Sequence, residues 1–406
     1  MKTKLLYSGI VSAVVGAMLI GGGAAWAQAG PDPVQGPSEE QPPGEKEEVV
    51  IITGTRTQGR SVADSPVPVD VLSAGDIESV PFTDTNDVLK SLVPSFAINR
   101  QPISDGGTFT RPAELRGLPT DKTLVLVNSK RRHRAALVEI GGSGTQGPDI
   151  ATIPASALKS VEVLRDGAAA QYGSDAIAGV INFILKDDTE GFSVTAQTGQ
   201  YYEGDGQEYV LGANAGFALG DSGFINISGE YSKADATIRA EQYCESWFCL
   251  DPNNPDYDAS ASYNTFLTPA YLDAVKAMGP VVQPWGQPNS EAARAFVNAG
   301  YTFSEALKLY GFANYSNSEG DGSFYYRYPL NGTIQDLREA DGSIYSPLEK
   351  YPGGFTPRFF GKLIDYSAAG GVRGSFDNGF GYDVSLRNGK NEIQYTLKNT
   401  INPSMG

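Results

Sequence analysis

The stretch from Val163 to Leu185 places Gly167, Gly173 and Gly179 between two apolar runs, and glycines at a strand-to-helix turn can cradle a phosphate. A phosphate loop needs G-x-x-x-x-G-K-[ST], whereas these glycines are six apart and no Lys-Ser/Thr pair follows Gly173. The dinucleotide pattern G-x-G-x-x-G fails on the same spacing. A packed strand-turn-strand remains, in which small residues let backbones approach closely. The run from Gly141 to Gly147 is expected to be a mobile loop. Asp251, Asn253, Asn254, Asp256 and Asp258 offer oxygens to calcium but lack the glycine and distal glutamate of an EF-hand, which favours a solvated loop. The only histidine is His133, so triads built on histidine and multi-histidine metal sites have little to build on. Cys244 and Cys249 lie five apart without other metal ligands nearby, so a loop disulfide in an oxidising compartment is expected. Lys130, Arg131, Arg132, His133 and Arg134 form the densest positive cluster. No catalytic set, resident metal or cofactor emerges, and an enzyme is not expected.

The chain as a whole is acidic, with 31 Lys and Arg against 47 Asp and Glu for a net charge of −16, which argues against a nucleic-acid partner. Lys2 and Lys4 precede an apolar run over residues 5–25 that closes on Ala25, Trp26 and Ala27 and then on Ala27, Gln28 and Ala29, either triplet being a candidate cleavage site. The run is long enough to span a bilayer as a helix. Its basic start, glycines at 21–23 and small-residue exit instead predict a signal peptide over residues 1–27, and hence a protein working outside the cytoplasm. Residues 28–48, rich in Pro, Gly and Glu, cannot bury a core and predict a disordered periplasmic linker. Val49, Val50, Ile51, Ile52 and Thr53 then form a sticky strand expected to have no sequence-adjacent partner.

Residues 61–186 mix signals: strands at 67–72, 123–127 and 160–164, and a helix near 84–92 entered through Thr83 and Asp84 and left at Pro94. They predict one α+β domain. From residue 190 to 406 the period becomes two, as in Tyr209, Leu211, Ala213, Ala215 and Phe217 against Glu208, Gly212, Asn214 and Gly216, or Phe380, Tyr382, Val384 and Leu386 against Gly381, Asp383, Ser385 and Arg387. Strands are expected near 207–217, 223–233, 295–303 and 306–316, with others starting near 192, 364 and 380. The connections alternate short (220–223, 304–305, 377–379) and long (234–294, 317–361). A soluble sandwich has no reason for such sidedness, whereas an outer-membrane barrel has short turns on one side and long loops on the other. The fold class is therefore an α+β domain followed by an antiparallel transmembrane β-barrel. About seven strands is fewer than a closed barrel needs, and open edges are not tolerated in hydrocarbon, so these strands are expected to be the N-terminal part of a longer protein.

The order of Leu115-Arg116-Gly117-Leu118, Thr123 to Asn128, Ile153 to Gly167, Tyr172-Gly173-Ser174 and Ala176 to Asn182 resembles the plug domain of TonB-dependent outer-membrane receptors. The resemblance implies a plug over 61–186 inside a barrel of about 22 strands, with the Ala176 to Asn182 run in the plug core. It implies that residues 47–56, with Glu48, Val49, Val50, Ile51, Ile52 and Thr53, act as a TonB box that pairs with a TonB-type energy-coupling protein by strand addition. Arg116 and Arg165 resemble plug arginines that pair with carboxylates of the barrel wall, with ordinary surface arginines as the alternative. The implied function is TonB-energised uptake of a scarce solute across the outer membrane of a Gram-negative bacterium, in contact with outer-membrane lipid. A ferric-siderophore complex is the foremost cargo; cobalamin, heme and carbohydrate are alternatives, and a non-transporting adhesin-like barrel is the alternative of a different class. Lys130, Arg131, Arg132 and Arg134 would either attract an anionic iron chelate from outside or pair with lumen carboxylates. The wall is the favoured orientation, since an acidic barrel offers many partners.

Overall fold

The computed structural model describes residues 68–80, 84–98, 105–139, 144–165, 168–241, 285–329 and 353–401, with shorter pieces elsewhere. The plug is built on a five-stranded sheet. Its main strands are β1 (Val69–Ser73), β2 (Thr123–Val127), β3 (Leu158–Leu164) and β4 (Gly179–Leu185), in the order β1-β3-β4-β2, and the two-residue strand Lys130–Arg131 completes the edge beyond β2. Strand β4 runs parallel to β2 and antiparallel to β3. Every residue of β2 is buried, which is why its sequence is an unbroken apolar run with no alternation.

Two helices sit against this sheet. Helix α1 (Ala74–Ser79) starts from a capping box in which Ser73 and Asp76 satisfy one another's backbone N–H groups. It carries too little apolar periodicity to be visible in the sequence. Helix α2 (Thr85–Leu92) is capped by Asp84, whose carboxylate accepts from Asn86 N at 2.9 Å, and it stops before Pro94 as expected. Between β3 and β4 the glycines serve packing. Gly179 has φ +147°, and a Cβ there would collide with the carbonyl of Leu164 on the neighbouring strand, so only glycine lets the chain re-enter the sheet.

The larger sheet contains β5 (Phe192–Gly199), β6 (Glu208–Ala218), β7 (Gly223–Ala234), β8 (Ser290–Ser304), β9 (Leu307–Ser323), β10 (Arg358–Ser375) and β11 (Gly381–Lys398). Each pairs antiparallel with its sequence neighbour. The short connections 219–222, 305–306 and 376–380 fall at one end and 200–207, 235–289 and 324–357 at the other. Strands bordering the longest connections exceed their sequence-based bounds; β8, β9 and β10 run 15, 17 and 18 residues. Crossing hydrocarbon takes about 9–11 residues, so the extra length projects past the bilayer and shortens the loops.

Burial in this sheet is inverted. Leu211, Phe217, Ile227, Val297, Tyr315, Tyr366 and Leu386 are exposed, whereas Asn214, Asn226, Ser228, Glu230, Asn298, Asn314 and Asp365 on the opposite face are buried. A soluble sandwich would bury the first set; this sheet turns it toward lipid and closes its polar face over the plug.

Of the predicted signal peptide, only Ala13–Val14 is described, pairing with Ala196 and Thr195 on the outer edge of β5; the rest, and residues 28–48, lie outside the described residues. The strand expected to stand alone does have a near partner: Val50–Ile51 pairs antiparallel with Arg60–Ser61. The alternating pattern was too short there to reveal a hairpin.

The inverted burial predicts the effect of a charge. Val297→Arg, near the middle of β8, should cost about 2–4 kcal/mol by urea unfolding in lipid vesicles, the range for arginine at the midplane of a barrel's lipid face. An effect near zero would mean that this face is not against hydrocarbon.

Candidate functional site at the plug–wall seam

Strand β2 is followed by Asn128 and Ser129, both left-handed at φ +46° and +65°, a two-residue hairpin turn of the kind that asparagine tolerates. Asn128 fixes the turn at both ends: its Oδ1 accepts from Leu185 N at 2.9 Å, and its Nδ2 donates to Asn298 Oδ1 on β8 at 3.2 Å. The chain therefore folds back, and the basic cluster runs along the wall formed by β9, β10 and β11.

Arg132 and Asp365 are the centre of that seam, each side chain only 3% exposed. Arg132 Nη2 donates to Asp365 Oδ1 and to Thr152 Oγ1 (3.1 Å), and Nη1 donates to Asn314 Oδ1 (2.7 Å) and Ser367 Oγ (2.9 Å). His133 Nε2 lies 2.7 Å from Asp365 Oδ2, which also accepts from Asn391 Nδ2 at 3.0 Å. Burial lowers the Arg132 guanidinium from its ordinary value, opposed by the nearby carboxylates of Asp365 and Asp149. Lys130 Nζ pairs with Asp383 Oδ1 at 2.8 Å. Burial works against the Lys130 ammonium, but its bonds to Asp383 and Tyr310 outweigh this and raise it. Arg131 turns back to the plug, to Asp175 and the Tyr172 carbonyl, and Arg134 is exposed.

The wall answers with contacts of its own. Arg294 bonds Glu230 (3.1 Å) and reaches across to the plug's Ala151 carbonyl at 2.6 Å, and Asn391 Oδ1 accepts from Ala136 N at 2.8 Å. Other contacts are apolar: Phe296, Phe312 and Ala369 of the wall join the plug's buried cluster. Phe109 packs 5.3 Å from the Phe359 ring, in a notch made by Gly320 and Gly361, which face each other across β9 and β10. A Cβ on Gly361 would overlap the Phe109 ring.

Other sequence-derived positions fall elsewhere. Arg165 Nε lies 2.7 Å from Asp70 Oδ2, inside the plug, so the described ion pair of Arg165 does not reach the wall. Arg116 is exposed at φ +60°, in the turn after Leu115. Cys244 and Cys249 are disulfide-bonded across a small hairpin, as their spacing predicts; Asp251 and Asp258 lie outside the described residues. Asp365, Asp383 and Asn391 were not singled out from sequence. The available signal was their placement on the polar face of an alternating strand.

The N-terminal segment is tied to the plug core. Glu48, Val49 and Ile52 lie outside the described residues, but Thr53 is 1% exposed. Its backbone N donates to Glu162 Oε2 at 2.7 Å, its hydroxyl bonds the same oxygen, and Asn182 Nδ2 donates to Thr53 Oγ1 at 3.0 Å. Glu162 and Asn182 are themselves 2% and 0% exposed. Asn182 Oδ1 in turn accepts from Ser129 N at 3.0 Å. Polar contacts thus run unbroken from residue 53 to the turn that presents Arg132.

Residues 61–180 match the family model described as TonB-dependent Receptor Plug Domain. The chain is 32% identical over 152 residues to the iron-regulated outer membrane virulence protein of Vibrio cholerae, a match covering 37% of this chain and 22% of the relative. It is 30% identical over 200 residues to the probable TonB-dependent siderophore receptor PirA of Acinetobacter baumannii, covering 47% and 26%. The crystal structure of a ferric enterobactin receptor (PfeA) mutant from Pseudomonas aeruginosa aligns with TM-score 0.46 at 16% identity, covering 81% of this chain and 46% of that one. The matches thus span about a quarter of the curated relatives' lengths. Residues 61–180 are a TonB-dependent receptor plug domain, followed in this chain by an antiparallel barrel sheet.

Two outcomes follow from the seam. Arg132→Met or Asp365→Asn alone strips a partner from a buried ion pair and should cost about 3–5 kcal/mol, whereas the double variant should recover much of that loss; denaturant melts of the plug measure it, and additive losses would mean that the two do not act as a pair. The second concerns Asp149, whose carboxyl burial pushes up to about 6, opposed first by Arg111. The folded protein then holds a proton that the unfolded chain releases near 3.8, so this group favours folding at low pH and that contribution fades as pH rises through 6. Asp149→Asn should flatten the stability profile between about pH 4 and 6; an unchanged profile would assign the slope to another group.

Proposed function

We propose that this chain belongs to an outer-membrane receptor of a Gram-negative bacterium that takes up a ferric-siderophore complex, energised by a TonB-type protein that pulls on residues 47–56. The observation that carries this reading is the path from Thr53 through Glu162 and Asn182 to the Ser129 turn. A segment offered to an external strand is fastened by hydrogen bonds to the element that locks the plug against the wall, so force applied at the first would be felt at the second. Val50–Ile51 uses one edge in its hairpin with Arg60–Ser61, and no further strand pairs with it among the described residues, which leaves an edge for a partner strand. The iron-related names of the relatives favour an iron chelate as cargo. The cationic cluster contributes to plug retention, since Lys130, Arg132 and His133 engage the wall.

Uptake of labelled ferric siderophore by cells making the full-length receptor tests this directly. Transport should require an intact TonB system, and Ile51→Pro, which removes a backbone donor and fixes φ, should abolish transport while cell-surface binding of the chelate persists. Chelate-dependent growth that survives loss of TonB would refute the transporter. Loss of chelate binding together with transport in Ile51→Pro would move the coupling segment elsewhere.

A further inference from the structure

A cavity of about 290 Å³ lies between the plug segment Lys130 to His133 and the wall. Its wall side is made by Phe312, Ser367, Ala368, Ala369, Asn388 and Gly389. Ser367 stands opposite Gly389 in the β10–β11 register, and a Cβ on Gly389 would overlap the His133 ring, so the wall thins here to seat the plug segment that carries the densest positive charge, with the cavity beside it. Val127, Phe312, Ala368 and Ala369 supply its apolar part, and four cations border it: Lys130, Arg131, Arg132 and Arg387.

Three of these cations have carboxylate partners, Asp383 for Lys130, Asp175 for Arg131 and Asp365 for Arg132. Arg387 has none among the described residues. It lies on the lumen-facing side of β11, donating only to the Arg131 carbonyl, and its charge acts on the buried Arg132. Arg387 is itself solvent-exposed, so its guanidinium can be reached by a solute entering the cavity. Guanidinium is also the group best shaped to take a carboxylate or phosphate in two parallel hydrogen bonds.

We propose that this cavity binds a small free multivalent anion of the carboxylate or phosphate class, held chiefly by Arg387 with help from Arg131 and Lys130. Its size falls at the bottom of the range for drug-sized ligands, which admits a tricarboxylate or a phosphate and excludes a whole ferric siderophore. The site is thus distinct from any cargo site on the long-loop side. It lies toward the short-turn end of the sheet, where Lys130 meets Asp383 beside the 376–380 turn. Occupancy would neutralise Arg387 and brace residues 130–133 against β10 and β11.

The test is calorimetric titration of the detergent-purified full-length receptor with citrate and, separately, with inorganic phosphate, at constant ionic strength held with chloride. Saturable binding of one or both is expected. Arg387→Gln should weaken it roughly tenfold or more, the scale of one charge-assisted hydrogen bond. Ala369→Leu, which fills the cavity without altering charge, should weaken it as well. If Ala369→Leu fails to fold, Arg387→Gln on its own decides. Failure to saturate with either anion, equal competition by chloride, or binding unchanged in Arg387→Gln would each overturn the assignment. Ferric-siderophore binding, followed in parallel, should be unaffected by Arg387→Gln; its loss along with citrate binding would place the anion site within cargo recognition and overturn the claim of a separate site.

Discussion

A sheet that turns its apolar face to lipid keeps only its polar face for whatever lies inside it, and the seam with the plug follows from that constraint. The lumen side of β6 to β10 presents Asn214, Asn226, Glu230, Asn298, Asn314 and Asp365, all buried. Burying such groups without partners costs several kcal/mol each, so the plug cannot simply be another apolar core. It has to meet them with hydrogen bonds and counter-charges, and the segment after β2 does so with Lys130, Arg132, His133 and the Ala136 backbone.

A polar seam of this kind specifies position more than it stabilises. The Arg132–Asp365 pair has lost nearly all of its water, and its mutual attraction largely offsets that loss. Breaking it is expensive, yet separating both partners into water together is not. That asymmetry fixes one seating of the plug in the lumen without making its separation from the wall prohibitive. The Phe109 notch adds an apolar contact at a different height of the wall, made possible by the facing Gly320 and Gly361. Shape complementarity there discriminates against rotated or shifted seatings that the hydrogen bonds alone would tolerate.

The interior of the plug carries a second polar element with the same logic. Glu162 is a carboxylate within a sheet whose other members are mostly aliphatic, and it accepts two hydrogen bonds from one residue, Thr53. Withdrawing Thr53 would take two donors from that buried carboxylate, and a hydrogen bond to a charged group contributes about 1.5–3 kcal/mol. The N-terminal segment is thus not an appendage: its departure changes the balance at Asn182 and, through it, at the Ser129 turn.

What the sequence determined by itself rests on short-range periodicity. The alternation from residue 192 onward, the sidedness of its turns, the all-apolar strand at 123–127, the Asp84 cap and the Cys244–Cys249 spacing are local patterns, and local sterics and burial dictate them. The glycine run before β4 likewise excluded a phosphate loop on spacing alone. The tertiary structure decided everything that depends on which lumen-facing residue stands opposite which plug residue. Asp365 is one aspartate among many until β10 is paired in register with β9 and β11, and Arg132 is separated from it by 233 positions in the chain. Arg116 and Arg165 had the same residue type and a family likeness in their favour, but the backbone turns Arg165 toward Asp70 while the Asn128–Ser129 hairpin aims Arg132 at the wall. Partner choice across a seam is a property of register and of two left-handed residues, and no window of sequence contains both sides of it.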